Sequence, residues 1–176
     1  MNARASTLTP LGAVARGLVA GAVGTAAMTG WQTLSARLMS SGEDEDPDGE
    51  KTAPPDPWEQ ASAPAKLAKR IGEGVFQREV SADRIPVLTN GMHWGYGTAW
   101  GAVYGVLAGS ASGGAPVRRG TVFGTGVWAM SYVQLVPMGL YEPPWKYAAK
   151  DMALELSFHV VYGVGVGAAF AAVRRA

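Results

Sequence analysis

Charge is missing from this chain in long blocks, and that absence limits the fold more than any other feature. The 33 residues from Ile85 to Val117 contain no Asp, Glu, Lys or Arg, nor do the 20 from Gly17 to Ala36 or the 22 from Gly120 to Tyr141. A fourth block, Met152 to Val173, holds one such residue, Glu155, together with His159. A helix of ~20 apolar residues crosses the hydrocarbon core of a bilayer. The blocks therefore predict an all-α fold, a four-transmembrane-helix bundle with spans over about 12-36, 86-110, 119-141 and 151-173, forming one integral membrane domain over 1-176. A cleaved signal peptide is the competing reading of the first block. Its only cleavage signature, Leu34-Ser35-Ala36, has a large residue where a small one is preferred.

Glycine supplies the packing logic. Gly91 to Gly105 packs five Gly, two Trp, two Tyr and His93 into 15 residues. That density weakens a helix in water, but small residues let helices approach closely in a bilayer. Gly97, Gly101 and Gly105 recur every fourth residue, as do Gly163 and Gly167, Gly17 and Gly21, and Gly120 and Gly124. His93-x-x-Tyr96-Gly97-x-x-x-Gly101 is matched by His159-x-x-Tyr162-Gly163-x-x-x-Gly167, and Arg16-Gly17 by Arg119-Gly120. These matches suggest a tandem repeat of two helical hairpins, or chance similarity between glycine-rich segments.

Charge gathers in the long connection, residues 40-84, where eleven of the fourteen acidic residues lie between Glu43 and Asp83. Its first part is acidic and proline-rich, too poor in aliphatics to bury a core. Asp56-Pro57-Trp58-Glu59 reads as a helix start, and Pro64 as a break. Leu67, Ile71 and Val75 then share one face, as in a short amphipathic helix lying on a membrane or over the bundle mouth. Arg4 and Arg16, Arg118 and Arg119, and Arg174 and Arg175 mark three alternating edges. By the positive-inside rule both termini face the cytoplasm and the acidic loop faces outward. Trp31, Trp94, Tyr141, Trp145 and Tyr147 are expected near the outer interface.

Few residues are left to carry chemistry. Cysteine is absent, which removes thiolate ligands and cysteine nucleophiles. No Asp lies in the central part of any span, so a Ser-His-Asp arrangement is not expected, and no phosphate-binding loop is present. The net charge of +1 gives no reason to expect nucleic acid. Glu155 and His159, four apart on one helix face, and His93 are the ionisable groups at membrane depth, where such groups default to a functional role. Three readings stay open: structural hydrogen bonding, a proton-responsive Glu155, His159 and His93 set, or a haem or transition metal held by His93 and His159. Two His alone make a thin metal site. Tyr96, Tyr162, Tyr132 and Gln134, with Ser131, are expected to hydrogen-bond inside the bundle.

The histidine-bearing span around His93, the run Val136-Pro137-Met138-Gly139-Leu140 leading to Pro143-Pro144-Trp145, and Glu155-x-x-x-His159 resemble the YagU family of bacterial inner-membrane proteins. The resemblance covers roughly residues 88-165. It implies a multi-span inner-membrane protein linked to acid tolerance, with no assigned reaction. The expectation is thus a non-enzymatic protein of the bacterial cytoplasmic membrane without a resident cofactor. It would be surrounded by lipid and partnered by further copies or by another membrane protein as an accessory subunit.

Overall fold

The structure, a computed structural model, describes residues 8–40, 56–109 and 115–175. Most of the acidic stretch at the start of the long connection and the glycine turn before Pro116 lie outside the described residues. Within them the fold is all-helical. Six α-helices follow one another: α1 (Pro10–Ser40), α2 (Pro57–Gln60), α3 (Ala63–Gly74), α4 (Ile85–Gly109), α5 (Pro116–Leu135) and α6 (Ala149–Val173). Short 3-10 turns sit at Ala82–Arg84 and Pro144–Lys146. Two helices, α1 and α6, are long and apolar enough to cross a membrane by length and composition. The segments of α4 and α5 were expected to match them. They are diluted by Asn90, His93 and Tyr96 in one and by Arg118, Arg119 and Gln134 in the other.

Glycine sets the helix contacts. Helix α1 packs antiparallel on α4, and α5 packs antiparallel on α6. A Cβ built on Gly21 would lie 2.8 Å from the Gly97 carbonyl oxygen and 2.9 Å from the Gly101 Cα. A Cβ on Gly163 would lie 2.8 Å from the Gly124 Cα and nitrogen. Backbone therefore meets backbone at both seams, which only glycine permits. A third seam joins α1 to α6: Gly165 faces the Gly24 Cα, 3.0 Å from where its Cβ would stand. The run Gly163-x-Gly165-x-Gly167 thus serves two neighbours, turning Gly163 and Gly167 to α5 and Gly165 to α1.

The sequence match and the packing register disagree by one turn. Gly17 meets Gly101 and Gly105, whereas Gly120 meets Gly163 and Gly167. The packing equivalent of Gly163 is thus Gly101, not the Gly97 that the shared His-Tyr-Gly pattern would align with it. The seams are alike in kind and offset in register.

Between α4 and α5 no such seam forms. Aromatic rings fill the gap: Tyr104 and Trp100 stand edge-on to Phe123, centroids 5.0 and 6.0 Å apart, and Tyr104 also meets Phe170 at 5.6 Å. These rings, with Ala20, Met28, Val127, Tyr162 and Val166, make the core. At one end of the molecule Arg16 donates to the Val173 carbonyl, near Arg174 and the start of α5 with Arg118 and Arg119. Arg16, Arg118, Arg119 and Arg174 thus collect at one end, while Arg37 in the last turn of α1 and Arg84 just before α4 lie at the other.

Local chemistry shortens the segment expected over 119-141. Helix α5 stops at Leu135. Gly139 takes φ +64°, while the Leu140 amide donates to the Leu135 carbonyl at 3.0 Å and the Gly139 amide to Val136 at 2.9 Å. This is a Schellman closure, for which glycine suits the left-handed position. The turn begun at Asp56 ends at Gln60, ahead of Pro64, which lies in the first turn of α3, where its missing N–H costs nothing. The α3 stripe is only partly covered: Leu67 is half-buried, while Ile71 and Val75 are exposed.

Candidate functional site

At the end opposite Arg16, Arg118, Arg119 and Arg174 the helices leave a cavity of about 390 Å³. All four long helices reach it: Thr29 from α1, His93 and Tyr96 from α4, Gln134 from α5, and Glu155 and His159 from α6. Helix α3 covers it with Pro64 and Leu67, held down by a 2.9 Å hydrogen bond between the Ser62 and Thr89 hydroxyls. Of the placements open to this segment, on a membrane, over the bundle mouth or as a solvated loop helix, α3 lies over this cavity.

The two histidines are fixed through different nitrogens. His159 Nδ1 donates to the Glu155 carbonyl at 3.0 Å, since a carbonyl only accepts. That leaves Nε2 for other partners. His93 Nε2 stands 3.4 Å from the Thr29 hydroxyl, whose own proton goes to the Thr25 carbonyl at 2.9 Å. The hydroxyl has one proton to give, so His93 Nε2 is the donor and its Nδ1 is left. Two imidazoles from separate helices thus share one cavity, each anchored by one nitrogen.

Glu155 is held differently from expectation. Its carboxylate accepts the Tyr132 hydroxyl, and Tyr141 lines the same cavity wall. Its link to His159 runs through its own backbone carbonyl. Tyr132 is buried, lies 3.2 Å from Met152 Sδ, and packs edge-on to Tyr141 and Tyr147 at 5.4 and 6.1 Å. Glu155 and Tyr141 also line a second, shallower pocket of about 280 Å³ with Tyr147, Asp151 and Met152. The carboxylate is therefore a wall shared by the inner cavity and an outer vestibule.

The polar residues singled out from the sequence fall into three groups. Tyr96 donates to the Gln134 side chain at 2.7 Å, bridging α4 and α5 at the cavity. Tyr162 donates to the Gly97 carbonyl at 2.7 Å, within the core. Ser131 lines the cavity but gives its proton to Trp128, in its own helix, at 2.7 Å. Gly97, Gly101, Gly105, Gly163 and Gly167 serve the seams and take no part in the site. Trp31 was placed at the interface, yet its indole donates to Ser157 at 2.9 Å across the α1–α6 seam. Trp145, 81% exposed, does point outward.

Sequence reading missed Thr29 and Asn90, which carry no motif, and Tyr141, whose place on the cavity wall depends on the turn at Gly139. It also missed Gly24 and Gly165, although the spacing of two beside Gly163 was a visible signal. Among the described residues no three His, Cys, Asp or Glu side chains converge as a metal-ligand group. No family model matches the chain, and neither a curated protein nor a solved structure matches it.

Proposed function

We propose that this chain is a non-enzymatic, multi-pass protein of a bacterial cytoplasmic membrane that responds to external acidity through Glu155, His159 and His93. The observation that carries the reading is the meeting of these three groups in one cavity at the end away from Arg16, Arg118, Arg119 and Arg174. In this reading α1, α4, α5 and α6 all span the membrane as a four-helix bundle, with both termini cytoplasmic. Apolar side chains on the outward faces support it: Leu107, Val122 and Val133 are 63, 69 and 66% exposed, as suits contact with lipid. Arg118 and Arg119 support the orientation. They sit in the first turn of α5, the end of a helix dipole that disfavours cations, and a cytoplasmic edge accounts for them. The YagU resemblance, carried in part by His93, Glu155 and His159 of the same cavity, supports a role in acid tolerance.

Protonation would act on a closed hydrogen-bond set. A proton on Glu155 weakens its hold on Tyr132. A second proton on either imidazole places charge beside α3. The test is survival of cells after an acid challenge with wild type, Glu155→Gln or His159→Ala. Loss of protection in the variants, with normal membrane levels, is expected; full protection by both would end the reading. A second reading, a haem or transition metal bridging His93 and His159, draws on the shared cavity and the one uncommitted nitrogen on each ring. An absorbance spectrum and elemental analysis of wild type beside the His93→Ala, His159→Ala double variant test it.

A further inference from the structure

The inner cavity has a one-sided chemistry. Its volume of about 390 Å³ lies in the range of small-molecule sites. Among the described residues one carboxylate, Glu155, faces it, and no Lys or Arg lines it. Two cations of the covering helix donate elsewhere: Lys66 to the Glu59 carbonyl at 2.8 Å, and Arg70 to the Met138 carbonyl. The other polar groups are amides, hydroxyls and imidazoles, while Tyr96, Tyr141, Phe158 and Met28 give aromatic and soft apolar walls. A half-buried carboxylate gains from a compensating partner. A tyrosine hydroxyl supplies a neutral donor and leaves its charge uncancelled. One such donor, Tyr132, also does not exhaust an ionised carboxylate, which has about four acceptor positions.

A guest that completes this site carries one positive charge and an apolar body. Its charge lies against Glu155 and the faces of Tyr96 and Tyr141, which attract cations through the ring quadrupole. Its body lies along Phe158 and Met28. The approach is also marked. The outer vestibule presents exposed Asp151 one helical turn before Glu155 on α6, with Tyr141 and Tyr147 beside it. A cation passing from solvent meets one carboxylate, then the second at the shared wall.

We propose that the cavity is a binding site for a small organic monocation with an aromatic or apolar body, with Glu155 as its counter-ion. The proposal rests on the reading of Glu155 as an ionised group inside the bundle. The probe is benzyltrimethylammonium, titrated calorimetrically into the full chain in lipid nanodiscs at neutral pH, with phenylacetate as an anion of similar size. Saturable one-to-one binding of the cation and none of the anion is expected. Glu155→Gln is expected to weaken binding by about tenfold or more, about 1.4 kcal/mol. Leu67→Trp, which fills the cavity from its roof and leaves Glu155 in place, is expected to weaken it comparably. Circular dichroism shows that each variant is folded. If Glu155→Gln fails that check, Leu67→Trp alone decides. Equal binding of cation and anion, unchanged affinity in a folded variant, or no binding to wild type overturns the proposal. A wild type that binds no cation while cells still lose acid protection with Glu155→Gln overturns the ligand site alone. Cation binding without an acid phenotype overturns only the acid-response reading.

Discussion

The two ends of the helix cluster are built on opposite terms. At the arginine end, backbones touch through Gly17, Gly101, Gly105, Gly120 and Gly167, and rings of Tyr104, Phe123 and Phe170 fill what remains. At the other end the same helices separate around polar side chains, and Thr29, His93, Gln134 and Glu155 face open space. The difference teaches where rigidity and chemistry are divided. Glycine fixes the helices where nothing needs to bind, and the absence of close-packed glycine beyond Gly97 and Gly163 allows a cavity where the titratable groups sit.

The largest effect should come from placing a side chain in a seam. Gly124→Leu or Gly101→Leu drives Cβ into the facing backbone, and overpacking of this kind costs about 3 kcal/mol or more at its upper end. Loss of the cooperative thermal transition is expected. Gly126→Leu and Gly95→Leu, where a Cβ meets nothing within 4 Å, should leave the transition within a few degrees of wild type. If all four variants behave alike, the closed end is not held by glycine contact.

Next comes Tyr132→Phe, which removes a donor from a charged acceptor and should cost about 1.5–3 kcal/mol in a chemical-denaturation midpoint. Tyr162→Phe removes a neutral 2.7 Å bond to the Gly97 carbonyl and should cost about 1 kcal/mol. The ratio of the two measures how much more the polar end depends on charge. Equal losses would mean that Glu155 is neutral in the folded protein.

The smallest effect lies outside the long helices. The Ser81 hydroxyl donates to Asp83, which holds the fully exposed carboxyl below its ordinary value of 3.8. A depressed carboxyl stabilises the turn above its unfolded value and loses that contribution as pH falls through its folded value. Ser81→Ala should therefore abolish a slight acid sensitivity of this turn, seen as Asp83 titrating nearer 3.8 by NMR. The cavity's response should be unchanged.

Much of this division is legible in the sequence. Charge-free blocks give the long helices, and a spacing of four glycines marks both main seams. The histidine pair stands out because the chain has only two. Other features needed coordinates. The register slip between the seams is a matter of which turn of one helix meets which turn of another, and equal motifs do not encode it. Tyr141 reaches the cavity wall only because Gly139 turns the chain back, and Pro64 caps the cavity only because α3 folds over α4. The partner of the Glu155 carboxylate was misjudged for a similar reason. Spacing on one helix favoured His159, but the tyrosine on α5 is the closer donor.

The two helices apolar enough to cross a membrane unaided, α1 and α6, are in contact with each other, and each carries one less apolar helix on a glycine seam. For a chain delivered to a membrane from its N-terminus, this sets an order of events. Helix α1 can settle first, and α4 emerges with a partner already waiting. Helix α5 has no such host. It leaves the ribosome before α6, so its two leading arginines and its polar residues must wait for a partner not yet made. If all four helices span a membrane, as proposed, the step most exposed to error in assembly is the interval between α5 and α6, and the short, tightly turned connection at Gly139 keeps that interval brief.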